Sequence, residues 1–142
     1  MDQNISENKP STFKYILAWF LAGLVSNILV RIMDTVVAEL LVSDLEDFNI
    51  YFIVIAVLSV PIISGSFIFI YNLFSTLNIK KVMIYIYILG GIGILANFGT
   101  ISNLYAPLGV DLSVYYISTI LAFIASVYII RSYYIKKEDR WY

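Results

Sequence analysis

Four long apolar runs, separated by three short polar connectors, set the pattern of the chain. They extend from Phe13 to about Val42, from about Phe48 to Phe74, from about Val82 to Ser102, and from about Leu112 to Tyr134. Each is long enough to cross a bilayer as a helix, since ~30 Å of hydrocarbon takes about 20 residues at 1.5 Å apiece. The pattern predicts an all-α, integral-membrane four-helix bundle in up-down-up-down order. Its helices cover about 13–42, 48–74, 82–102 and 112–134, within a membrane domain over 13–135. A polar tail, 1–12, precedes it and a charged tail, 136–142, follows.

Local signals mark the ends of these elements. Pro10 closes the polar tail, and Ser11 or Thr12 can cap the first helix. That helix is roughly 44 Å long, so it overshoots the hydrocarbon and projects on the far side. In the first connector, Ser43 and Glu46 have the spacing of a capping box for the second helix. Pro61 removes the backbone donor to the Val57 carbonyl, and Ser64, Gly65 and Ser66 follow it, so a kink is expected there. Asn78 can cap the third helix and Asp111 the fourth.

Charge adds an orientation. Lys9, Lys14, Lys80, Lys81, Arg131, Lys136, Lys137 and Arg140 belong to the N-terminal tail, the second connector, the C-terminal tail, or the helix ends beside them. The first and third connectors carry no Lys or Arg and hold Asp44, Glu46, Asp47 and Asp111. The positive-inside rule therefore predicts cytoplasmic termini in a cell (plasma or inner) membrane. No small-residue cleavage site follows the first apolar run, which reads as a retained signal-anchor.

Composition agrees and narrows the chemistry. The chain is 61% hydrophobic and 13% charged, against roughly 45–50% and about 25% in globular proteins. A formal net charge of −1 implies no bulk attraction to nucleic acid. With no cysteine and no histidine, thiol catalysis, Cys–His zinc sites and His acid–base chemistry are excluded. No nucleophile–base set, nucleotide loop or metal box is present, so no catalytic, cofactor-binding or metal-ligating residue is assigned. The chain is not expected to be an enzyme by itself, although it could be a subunit of one.

The polar residues inside the apolar runs are the candidate site. At helical spacing Gly23, Asn27, Arg31, Asp34 and Ala38 share one face of the first helix, opposite Val25, Leu29, Ile32 and Val36. Arg31 and Asp34 stand at i, i+3 and can pair with each other. Arg31 lies about 26 Å along the axis from Lys14, close to the outer interface. Asn27 and Asn97 are amides in the apolar layer that could bond across the first and third helices. The two are 70 residues apart, as are Gly23 and Gly93, a weak internal echo. In the third helix, Ile86, Gly90, Gly93, Asn97 and Thr100 form a stripe suited to close helix approach. Glu39, Asp44, Glu46 and Asp47 lack the spacing of a calcium loop and read as a solvated connector. The tyrosines near the run ends read as a membrane belt.

The expected function is that of a non-catalytic accessory or assembly subunit of a larger integral-membrane complex, of respiratory or oxidase type. Asn27, Arg31, Asp34, Gly90, Gly93, Asn97 and Thr100 would be its interface. The alternative is a small oligomeric channel or transporter whose path is lined by Asn27, Arg31, Asp34 and Asn97. Expected partners are the lipid bilayer and other membrane subunits, a hetero-complex being favoured over a homo-oligomer.

Overall fold

The structure, a computed structural model, describes residues 11–41, 48–74, 77–109 and 111–139. These form four long helices and one short turn of 3-10 helix. The helices are α1 (Thr12–Leu41), α2 (Phe48–Leu73), α3 (Ile79–Tyr105) and α4 (Ser113–Asp139), with the 3-10 turn at Ala106–Leu108. All four are long and apolar enough to span a membrane, with mean hydropathies of 2.0, 2.6, 1.8 and 1.9 over their most apolar stretches. The chain exposes 10100 Å², whereas a compact soluble protein of this mass exposes about 7,500 Å². Phe13, Leu95, Leu104 and Leu121 are among the large apolar side chains left on the outside. Such a surface suits contact with a lipid bilayer.

The organising helix is α2. It packs along α1 on one side and α4 on the other, while α3 meets α1 and α4 more sparingly. Among the described residues α2 and α3 make no close backbone approach, nor do α1 and α4. Ser59, Ser64 and Ser66 of α2 are buried, and each hydroxyl is spent on a carbonyl of its own helix: Ala56, Val60 and Ile62, at 2.7 Å each. Small side chains with satisfied hydroxyls let neighbouring helices come close without an unpaired polar group. Ser126 of α4 does the same, donating to Ala122 O at 2.7 Å.

The core is concentrated in one part of the bundle. Tyr15, Ala18 and Ala22 of α1 meet Phe67, Ile70 and Tyr71 of α2, Val82, Met83 and Ile86 of α3, and Val127, Ile130 and Tyr134 of α4. Tyr15 ties two helices together: its ring stacks on Tyr85 at 5.5 Å, and its hydroxyl accepts the Asn78 N–H at 2.8 Å.

Several local expectations have answers here. Asn78 caps α3, its Oδ1 accepting from the backbone of Lys80 at 2.9 Å. Asp111 Oδ1 accepts from the Ser113 N–H at 2.9 Å and the Ser113 hydroxyl at 2.7 Å, at the start of α4. Helix α2 runs through Pro61 as one element from Phe48 to Leu73, without the break in the helix that Pro61 can impose. Helix α4 continues to Asp139, through residues that composition alone assigns to a tail. The Ser43–Glu46 capping box and the acidic residues Asp44, Glu46 and Asp47 lie outside the described residues.

Candidate polar site within the helix bundle

The buried stripe of α1 is Tyr15, Ala18, Ala22, Ser26 and Val37. Asn27 stands one 100° step round the helix from Ser26 and Arg31 about 140° round from it, and both are exposed. Of the face that the spacing grouped together, Gly23, Asp34 and Ala38 are half-buried, and Asn27 and Arg31 are turned outward. Arg31 Nε donates to Asn27 Oδ1 at 3.1 Å, one turn back along the same helix. No ion pair joins Arg31 to Asp34 among the described residues. Asp34, half-buried, instead accepts a hydrogen bond from the Tyr51 hydroxyl of α2. The i, i+3 spacing permitted pairing, but a phenol on the neighbouring helix and an amide one turn earlier took the two groups apart.

The two asparagines do not bond to each other either. Asn97 Nδ2 donates to the Tyr115 hydroxyl of α4 at 2.6 Å, while Asn27 is engaged by Arg31. Nearby, Ser102 of α3 hydrogen-bonds Tyr116 of α4. The rings that carry these hydroxyls form one aromatic group. Phe52 of α2 lies 5.3 Å from Tyr115, and Phe98 of α3 lies 4.7 Å from Tyr116, both edge to face, the geometry aromatic quadrupoles prefer.

The small-residue stripe of α3 divides in two. A Cβ at Gly90 would come within 2.7 Å of Phe123 Cε2, so this glycine is where α3 and α4 close upon each other. A Cβ at Gly93 or Gly99 would meet nothing within 4 Å. Thr100 is exposed, its hydroxyl returned to Ala96 O at 3.1 Å. Of the seven candidate residues, then, Asp34, Gly90 and Asn97 join helices within the chain, and Asn27, Arg31, Gly93 and Thr100 face outward.

Beneath the aromatic group is a cavity of about 230 Å³ to which all four helices contribute, with Asn97, Tyr115 and Thr119 on its wall. Sequence reasoning passed over Tyr51, Tyr115 and Tyr116 as site residues, because a tyrosine near a helix end looks the same whether it anchors at the interface or bonds a neighbour. The available signal was the presence of polar side chains, Asp34 and Asn97, near those ends on the adjoining helices. Outside the spans, the Asp111 carboxyl is held below its ordinary value by the hydrogen bonds from Ser113. No protein-family model matches the chain, and neither a curated protein nor a solved structure matches it.

Proposed function

We propose that the protein is a non-catalytic accessory or assembly subunit of a larger integral-membrane complex. One observation carries this reading. Asn27 and Arg31, inside a membrane-spanning helix, bond each other on the outside of the bundle, and among the described residues no hydrogen bond or ion pair ties either side chain to another helix. Ionisable groups in membrane spans ordinarily face protein or water and have partners there. A neighbouring subunit laid against this flank would supply them. The open Gly93–Thr100 side of α3, the most sparingly packed helix, gives a second surface for close helix approach.

In this reading the helices alternate in direction, with both termini in the cytoplasm of a cell bearing the protein in its plasma or inner membrane. The distribution of Lys and Arg supports that orientation. The contacts that join the start of α1 to the start of α3 through Tyr15 and Asn78 support the alternation in direction. They also join the end of α2 to the end of α4, where Asn72 Nδ2 donates to the Tyr133 hydroxyl at 3.2 Å. A channel would need several copies, because Asn27 and Arg31 stand outside the bundle while Asn97 bonds Tyr115.

The test is Arg31→Ala in the native membrane. The variant should fold as the parent does and be lost from the large complex after mild-detergent extraction. Unchanged recovery of the complex would remove the docking role.

A further inference from the structure

The cavity beneath the aromatic group has an apolar body and one polar side. Val30, Ile55, Ile94 and Phe123, one from each helix, line the first, and Asn97, Tyr115 and Thr119 make the second. The polar side has a surplus of donors. Asn97 carries two N–H groups and one carbonyl, and Tyr115 carries one O–H. The single bond between them, at 2.6 Å, spends one N–H and leaves the other N–H and the phenolic O–H. Turning the amide over changes only which hydrogens are left: Tyr115 then donates to the carbonyl, and both N–H groups remain. The Thr119 hydroxyl adjoins Tyr115 and can accept one of them. At least one donor on the polar side is therefore unspent, Asn97 being exposed and Tyr115 and Thr119 half-buried.

The complement to an unspent donor in an apolar chamber is an acceptor that brings no donor of its own, on an apolar body. A carbonyl oxygen meets that description; a carboxylate would bring a buried charge and an alcohol another donor. Size is consistent as well. A dry cavity of ~150 Å³ accepts benzene, so about 230 Å³ admits a substituted six-membered ring or the head of an acyl chain. The sparing attachment of α3 to its neighbours leaves a way out for a tail. We propose that this cavity binds the carbonyl end of an apolar membrane molecule, whose oxygen accepts a hydrogen bond from the Asn97–Tyr115 pair. Two membrane sources share that chemistry, the acyl ester of a glycerolipid and the ring carbonyl of a quinone.

The experiment uses the purified full chain in detergent, titrated with two pairs of probes and read by native mass spectrometry. One pair is a decyl-substituted benzoquinone and decylbenzene; the other is a short-chain diester phosphatidylcholine and its diether twin. One carbonyl-bearing probe should bind one to one, and about three- to tenfold more tightly than its carbonyl-free twin, the value of a single hydrogen bond. The pair that shows the difference identifies the source. In the Asn97→Leu/Tyr115→Phe double variant the difference should vanish. Ser59→Leu, which places a larger side chain in the cavity wall, should abolish one-to-one binding. The proposal is overturned if neither carbonyl probe outbinds its twin, whether all four bind alike or none binds. It is equally overturned if the difference survives in the double variant. The twin comparison needs only the parent protein, so it decides the matter even where a variant fails to fold.

Discussion

Replacing Gly90 and Gly93 by leucine, one at a time, should separate the packing of this chain from its packing against others. The two glycines lie one turn apart on α3 and look alike in sequence. At Gly90 a Cβ would sit 2.7 Å from Phe123 Cε2 and 3.0 Å from Cζ, where carbon atoms prefer about 3.5–4.0 Å. An added methyl group would push the ring back by about 1 Å, toward the cavity that Phe123 borders. A leucine extends further along the same line and must part α3 from α4, an overpacking cost of about 1–3 kcal/mol. At Gly93 nothing lies within 4 Å, so leucine there should cost the isolated chain nothing measurable. The assay is unfolding in mixed micelles titrated with sodium dodecyl sulfate. Gly90→Leu should shift the unfolding equilibrium at least about fivefold relative to Gly93→Leu, the equivalent of about 1 kcal/mol. In the native membrane the order should reverse, with Gly93→Leu losing the complex while remaining folded. Equal destabilisation by both variants in micelles would refute the reasoning, since it would mean that the side of α3 bearing Gly93 is packed within the chain.

Two further outcomes follow from single contacts. Tyr51→Phe removes the hydrogen bond that joins α2 to the half-buried Asp34 of α1. It should cost about 1.5 kcal/mol, the low end for a bond to a charged acceptor, and a double-mutant cycle with Asp34→Ala should return most of that as coupling. At the start of α4, the carboxylate form of Asp111 is favoured by its bonds from Ser113. Its folded pKa lies below the unfolded value, so the stabilisation is present above the unfolded pKa, about 3.9, and is lost as pH falls through the lower folded one. Hydrogen exchange in the first turn of α4 should therefore quicken over that acid interval in the parent, beyond its intrinsic pH dependence, and not in Asp111→Ala.

The all-helical, membrane-embedded character of the chain was legible because it rests on run length, which lipid imposes on every segment alike. Caps were legible for a similar reason. Asn78 and Asp111 act within two or three residues of themselves, so local sequence contains both partners. Which helix stands at the centre was not legible. Charges drew attention to α1, yet α2 is the helix with neighbours on both sides, and what suits it to that place is a set of serines whose hydroxyls bond within their own helix. The pairing of polar side chains was misjudged for one physical reason. Spacing along a helix shows which groups can meet on that helix, but Asp34 and Asn97 hydrogen-bond tyrosines of other helices. Within the chain only Gly90 of the α3 glycine stripe is turned toward Phe123, a distinction that spacing along one helix cannot make.

The central claim is that this chain works as part of a larger membrane assembly. The most direct measurement is extraction of native membranes in mild detergent, followed by native electrophoresis and mass spectrometry of the band containing the chain. The account predicts comigration with larger, unrelated membrane subunits in fixed ratio, lost on Arg31→Ala. A band containing this chain alone, as a monomer or as a homo-oligomer, would contradict it.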